Sequence, residues 1–337
     1  MSGKKDRPRV AVLFNAPTLP REHPEYASEA GVVAAARGVA RALKEHGFKA
    51  WPLAAKPPLD RLVRRLRRQK PEVVFNLIEG FGGHSGGEAH ITALLELMGL
   101  PYTGCPPEAQ ALCRHKGATK ALLRGFGLPT APFAVVGPGD PLPGDLWGGP
   151  VVVKPEAEDG SLGIDQGSVV ADPARLAEQV GKVRAGHAGR VLIEKYLSGP
   201  EYNVGVVEID GPVALPVAEV VYDVPEGQWP ILTYAAKWAE GSAEDRASPV
   251  RCPAQVEPAL ADRLSDLALA AFRATGCRDV ARVDFRLDES GMPNILEVNP
   301  NPDLDPSAGW ARALNASGRE YGETLAGLVR KVLSAEC

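Results

Sequence analysis

ARVDFRLDESGMPNILEVN, residues 281–299, consists of two alternating runs around a turn signal, Asp288-Glu-Ser-Gly291. A hairpin closed at that turn pairs residue 288 with 291 and 282 with 297. Side chains alternate along a strand with period two. Arg282, Asp284, Glu297 and Asn299 therefore share one face, and Val283, Phe285, Leu296 and Val298 supply the packed opposite face. Two carboxylates at such range disfavour each other unless a cation lies between them. Oxygen donors of this kind suit Mg²⁺ or Mn²⁺, which keep waters and phosphate oxygens as further ligands. A guanidinium beside them stabilises negative charge on a reacting centre. The alternative is a solvent-facing hairpin with a surface ion pair.

Two further signals lie upstream. Val151-Val-Val-Lys154-Pro155 ends a buried run on a lysine, which is costly unless the ammonium meets an anion. Asp159-Gly160-Ser161-Leu162-Gly163 follows, a loop able to bring backbone N–H groups close to phosphate oxygens. It is not a Walker A loop, since no G-x-x-x-x-G-K-[ST] occurs, and an ordinary turn remains the alternative. Val191-Leu-Ile-Glu194-Lys-Tyr196-Leu197 is a strand end, followed by Glu201 seven positions after Glu194. Its backbone suits an adenine edge and Glu201 a ribose, although a plain strand and turn read the same way.

The first hundred residues alternate strand and helix. Strands are expected at Arg9–Asn15, Phe48–Leu53 and Val73–Leu77, and helices at Ser28–His46, Leu59–Leu66 and from a Gly-rich loop (Gly80–Gly87) to Met98. That order predicts a doubly wound parallel sheet. Arg61, Arg64, Arg65, Arg67 and Arg68 lie opposite the apolar stripe of the second helix, as a solvated face or, less simply, an anion site. Leu128-Pro129-Thr130 is a boundary, so the expected domains are 1–128, 129–195 and 196–337. The later segments carry strands at 133–136, 151–154, 168–170, 191–194, 202–209, 213–221, 282–287 and 294–299, with helices at 173–184, 258–275 and 322–333. A chain of 337 residues is long enough for two or three domains and a sizeable core. Its net charge of −4 gives no electrostatic reason to expect nucleic acid or an anionic membrane as partner. Cys105, Cys113, Cys252, Cys277 and Cys337 form no C-x-x-C pair, which reads as reduced thiols in a cytoplasmic protein. No stretch is long and apolar enough to span a membrane.

The order and spacing of these signals resemble the ATP-grasp superfamily, and within it the D-alanine–D-alanine ligases. LLELMGLPYTG (94–104), VVVKP (151–155), VLIEKYLSGPEYNVGV (191–206), ARVDFRL (281–287) and ILEVN (295–299) carry the match, which covers nearly the whole chain. The resemblance implies an α/β (α+β) ATP-grasp fold, with an N-terminal doubly wound parallel-sheet domain and a nucleotide site between central and C-terminal domains. It implies a carboxylate–amine ligase using ATP and Mg²⁺ through an acyl phosphate, small carboxylate and amine substrates, and a possible homodimer. Carried over residue by residue, Lys116 and Lys154 would contact ATP phosphates, and Glu194, Tyr196 and Leu197 would line the adenine site. Glu201 would hold the ribose, and Gly160 and Ser161 lie in the phosphate-covering lid. Lys237 would reach the terminal phosphate, Asp284, Glu297 and Asn299 would ligate metal, and Arg282 would steady the oxyanion.

The departures cluster where the amino-acid substrates would sit. Gly160 takes the lid position where the family has a serine, and Trp238 stands where it has a tyrosine. The segment from Glu22 to Glu29 matches the family's N-terminal glutamate region only loosely, and Glu79 replaces a histidine ahead of the Gly-rich loop that runs to Glu88. The loop after Asn299 carries Asp303 and Asp305, which would repel a carboxylate and favour an amine or a cation. His115 reads as structural, and Trp310 as either an aromatic wall or core. A ligase acting on something other than two D-alanines is the expectation. The alternatives are a D-alanine–D-alanine ligase with an altered pocket and a nucleotide-binding protein without catalysis. A Rossmann dehydrogenase is a remote reading, because Asn15-Ala-Pro17 stands where its G-x-G-x-x-G would open a helix.

Overall fold

Arg9–Asn15 (β1) is apolar from Val10 to Phe14 because helices cover both faces of the sheet it centres. Tyr26–Glu45 (α1), Lys49–Ala55 (β2), Leu59–Gln69 (α2), Val73–Leu77 (β3), Gly87–Leu97 (α3) and Tyr102–Thr103 (β4) complete a parallel sheet in the order β2-β1-β3-β4. The computed structural model describes residues 7–335 apart from 24, 145–147 and 188, so Cys337 lies outside the described residues. α1 buries Val32, Ala35, Ala36, Val39 and Leu43, an i, i+3, i+4, i+7, i+11 stripe. α2 buries Leu62 and Leu66 and leaves Arg61, Arg64, Arg67 and Arg68 exposed, as a solvated face should. Pro107–Arg114 (α4) and Lys116–Gly125 (α5) lead out of this sheet.

Phe133–Val136 (β5), Val151–Pro155 (β6), Val169–Val170 (β7), Leu176–Gly186 (α6) and Val191–Lys195 (β8) form a small antiparallel sheet ordered β5-β8-β6-β7. The third sheet runs β12-β11-β9-β13-β14, with β10 beside β9. Its strands are Glu201–Glu208 (β9), Pro212–Ala214 (β10), Ala218–Val220 (β11), Val250–Arg251 (β12), Val280–Leu287 (β13) and Pro293–Asn299 (β14). Its helices are Tyr234–Trp238 (α7), Ala243–Arg246 (α8), Pro258–Ala274 (α9), Gly309–Ala316 (α10) and Tyr321–Ser334 (α11). The single strand expected over 213–221 is two, because Pro216 lies between them and has no N–H for a ladder. α7, α8 and α10 were not anticipated. Trp310 on α10 is core and not a pocket wall, 2% exposed and donating from its indole to the Val206 carbonyl. The chain's end returns to its start, since Leu325, Leu328 and Val329 of α11 share one core with β1, β3 and α1.

The β13–β14 hairpin forms, but not in the expected register. Asp288 N–H donates to the Met292 carbonyl, so the turn is longer than a 288–291 closure. A bulge then sets Phe285 opposite Ile295 while Asp284 faces Glu297 and Arg282 faces Asn299. The two irregularities together shift the pairing by two residues, which preserves the face of every residue on the far side of the bulge. The exception is Leu296, the extra residue: it turns to the cleft beside Glu297, and Ile295 takes its place in the core.

Candidate active site

Two adjoining cavities open where the three sheets meet. The first lies between β6, β8, β13 and β14. It is lined by Lys116, Lys154, Ser161, Glu194, Tyr196, Leu197, Glu201, Lys237, Arg282, Asp284 and Glu297, eleven of the expected site residues. Its charges are matched one against another. Lys116 Nζ meets Asp159 at 2.9 Å and Glu297 at 3.6 Å, and Arg282 clasps both oxygens of Asp284 at 2.7 Å. Glu194 takes Lys154 at 2.5 Å and Lys120 at 2.8 Å. Burial would raise the Glu194 carboxyl, but the two ammonium groups hold it at about 2. Burial likewise opposes ionisation of Glu297, and Lys116, Lys154, Arg282 and Lys237 hold it at about 2.

Tyr196 and Leu197 follow the end of β8 and line the cleft. Glu201 is not free there: Arg286 reaches it at 3.2 Å and the Tyr222 hydroxyl at 2.8 Å. Arg286 also donates to the Gly199 and Pro230 carbonyls and lies over the Tyr196 ring at 5.0 Å. Sequence reasoning missed it, although alternation from Arg282 and Asp284 puts residue 286 on the same face. Lys120, Glu158 and Asp159 were missed as well. Asp159 had a signal in its Asp-Gly turn, whereas Lys120 reads as one more polar residue on a helix.

The lid turns at Gly160 (φ +67°) and Ser161 (φ +60°), the second an uncommon backbone for a non-glycine residue. Trp238 holds this turn, its indole N–H donating to the Gly160 carbonyl at 2.8 Å. Tyr234 N–H donates to the Ile164 carbonyl, and Gln166 exchanges hydrogen bonds with the Trp229 backbone. The loop after β6 and the 229–238 segment are thus joined to each other, and both line the first cavity. Thr233 caps α7 and aims Lys237 into both cavities.

The second cavity, about 680 Å³, adjoins the first through Glu158, Asp159, Lys237 and Arg282. Glu29, Glu79, Glu88, Gly160, Trp238, Asn299 and Asp303 line it. Glu29 is engaged by the chain itself: its carboxylate accepts from Thr18 N–H, Thr18 hydroxyl and Leu19 N–H, pinning the loop after β1. Asp305 is not brought to the cavity. Its carboxylate accepts from Ser307 N–H and hydroxyl and shapes the turn into α10. Asp303 accepts one bond, from Asp305 N–H at 2.8 Å, and Glu88 meets Asn301 and Arg114, but no ion pair within 4 Å joins Glu79, Glu88 or Asp303 to a cation among the described residues. Burial in the cleft, then Asp303, pushes Glu79 up to about 8, although its side chain stays open to water in the cavity. Burial and the neighbouring Asp159 and Glu79 raise Glu88, whose Oε1 is buried without a hydrogen-bond partner. Asp303 is raised too, by burial foremost. The Gly-rich loop that carries this wall folds back on itself so closely that a Cβ at Gly87 would lie 2.6 Å from Phe81. His115, expected to be structural, bonds Glu156 at 2.9 Å.

The donor set fits Mg²⁺. Asp284 and Glu297 face each other across the ladder, Asn299 follows on the same edge, and all three offer hard oxygens. The Asn299 oxygen accepts one bond, from Asn301 N–H at 2.9 Å, and keeps a second lone pair. Among the described residues no three His, Cys, Asp or Glu side chains form a metal cage, so phosphate oxygens and waters would complete the shell. Also among the described residues, no helix is long and apolar enough to cross a membrane.

Residues 122–330 match the model of a family described as D-ala D-ala ligase C-terminus. A D-alanine–D-alanine ligase of Gluconobacter oxydans is 32% identical over 332 residues, spanning 97% of this chain and 99% of that protein. A protein of Sinorhizobium fredii, y4sG, is 37% identical over 257 residues, 76% of this chain and 73% of its own. The solved structure of a D-alanine–D-alanine ligase from Bacillus anthracis complexed with ATP aligns at a TM-score of 0.76, covering 97% of this chain and 98% of that one at 20% identity. At that identity the likeness speaks for the fold.

Proposed function

The chain belongs to the D-alanine–D-alanine ligase family of ADP-forming ATP-grasp ligases, and from that premise we propose that its amine substrate is a cationic metabolite and not a second D-alanine. The observation that carries this is the trio Glu79, Glu88 and Asp303, three carboxylates on one cavity wall with raised pKa values. An incoming carboxylate would oppose their ionisation further, whereas an ammonium or guanidinium would draw them back to the ionised form and pair with it.

In this reading ATP occupies the first cavity, its adenine against Tyr196 and Leu197 and its phosphates among Lys116, Lys154 and Lys237. Mg²⁺ held by Asp284, Glu297 and Asn299 would supply charge neutralisation at the phosphates. A substrate carboxylate takes the γ-phosphoryl group to give an acyl phosphate and ADP. The amine then attacks the acyl carbon, and phosphate leaves as the amide bond forms. Arg282, which lines both cavities, would steady the tetrahedral oxyanion. The joined lid and 229–238 segment keep water from the acyl phosphate.

A panel of neutral, acidic and cationic amines, each tested with D-alanine and L-alanine for stimulated ADP release, decides the matter. Stimulation by the cationic members supports the proposal. The named relatives favour a second reading, in which two D-alanines are joined. D-alanine alone stimulating ADP release, with D-alanyl-D-alanine as product, would establish that reading instead.

A further inference from the structure

We propose that Lys120, which lines neither cavity, is a positioning residue for the ligase reaction: one buried ammonium sets both the phosphate-binding lysine and the metal-binding strand. The inference rests on the nucleotide reading of the first cavity.

Lys120 sits on α5 and is 1% exposed. Its Nζ lies 2.8 Å from Glu194 Oε2 on β8. Glu194 Oε1 in turn lies 2.5 Å from Lys154 Nζ on β6. The same Lys120 ammonium donates to the Thr130 hydroxyl at 2.8 Å and to the Ile295 carbonyl at 3.2 Å. Thr130 donates to that carbonyl as well, at 2.8 Å, and Ile295 N–H donates to Pro129. Ile295 immediately precedes the bulge that turns Leu296 and Glu297 into the cleft. Three elements from different parts of the chain therefore converge on one nitrogen. At one end stands Lys154, at the other the strand that presents Glu297.

Charge arithmetic gives the arrangement its direction. Two ammonium groups and one carboxylate leave the Lys120–Glu194–Lys154 group with one unbalanced positive charge, in a place where an uncompensated charge is costly. Lys120 is sealed in and Glu194 is a carboxylate, so the surplus is expressed at Lys154, the cation of the three that lines the cleft. A phosphate oxygen there completes the balance. With Lys120 removed, Glu194 and Lys154 neutralise each other, and the cleft loses its demand for an anion at that point. Lys120 thus keeps Lys154 available by occupying the other half of the carboxylate.

The test is a binding comparison on Lys120→Met and Lys120→Arg. Both variants are titrated with a non-hydrolysable ATP analogue and, in competition, with adenosine. The account expects Lys120→Met to weaken the ATP analogue about tenfold or more, the worth of one charge-assisted contact, while adenosine binds as in the wild type. Lys120→Arg, which keeps the charge in an altered shape, should fold and show the same split to a smaller degree. Should Lys120→Met fail to fold, Lys120→Arg decides alone. Unchanged ATP binding and turnover in a folded variant overturns the proposal, and so does equal weakening of ATP and adenosine, which a merely structural role would give. A wild-type chain that binds no ATP analogue would sink the nucleotide reading itself, and so is distinguishable from failure of the Lys120 proposal.

Discussion

The two cavities share Arg282 and Lys237 but handle charge in opposite ways. In the first, cations and carboxylates stand within 4 Å of one another: Lys116 with Asp159 and Glu297, Lys154 and Lys120 with Glu194, Arg282 with Asp284, and Arg286 with Glu201. The carboxylates Glu194 and Glu297 are held ionised, near 2. In the second, Glu79, Glu88 and Asp303 face a shared space and are pushed toward their protonated forms. A region whose carboxylates are each paired with the chain's own cations, and which keeps a positive surplus at Lys154, suits an anion of constant structure, such as a metal-bound triphosphate. A region left unbalanced is one where the substrate brings the missing charge. Conserved chemistry and variable specificity can thereby sit side by side on one fold.

The comparison breaks most severely if the balanced side tolerates loss of a charge. Glu297→Gln keeps the shape and removes the anion from among four cations, so kcat for ADP release should fall on the order of a thousandfold. Its melting temperature should stay close to wild type, and near-normal turnover would remove Glu297 from the site. The unbalanced side should respond differently. Asp303→Asn should raise KM for a cationic amine about tenfold while leaving KM for ATP unchanged.

Titration sharpens the contrast. A cation needs the ionised form of Glu79, so KM for a cationic amine should fall as pH rises from 6 through about 8, and Glu79→Gln should flatten that profile. The same shift bears on stability with a fixed sign. The folded chain holds the Glu79 proton to higher pH than an unfolded carboxyl does. Its contribution to stability is therefore fully present below the ordinary carboxylate range and is lost as pH rises through about 8. Melting temperature followed across pH 5 to 9 in wild type and Glu79→Gln checks it. The smallest effect is expected at the cover. Trp238→Phe keeps the ring and removes one neutral hydrogen bond to Gly160, and should lower kcat/KM only about fivefold.

Much of the balanced side was legible in the chain. Period-two alternation placed Arg282, Asp284, Glu297 and Asn299 on one face, and the conclusion survived a wrong register because the shift was an even number of residues. Leu296 shows the limit of that reasoning, since a bulge depends on cross-strand contacts that alternation along one strand does not contain. Lys120 was illegible for a similar reason: four residues past Lys116 on an ordinary helix, it acquires meaning only where β8 and β14 arrive beside it. Asp303 and Asp305 look alike in sequence, yet one faces the cavity and the other is consumed by the turn into α10. The parallel order of the first sheet followed from alternating strand and helix, while short helices such as α7 owe their existence to caps and tertiary packing rather than to a pattern.

A crystal structure with Mg²⁺, a non-hydrolysable ATP analogue and a diamine tests the account most directly. It should show the triphosphate along Lys116, Lys154 and Glu297, with an ammonium of the diamine against Glu79 and Asp303. A triphosphate lodged away from the β13–β14 face, or a substrate carboxylate seated against Glu79 and Asp303, would contradict it.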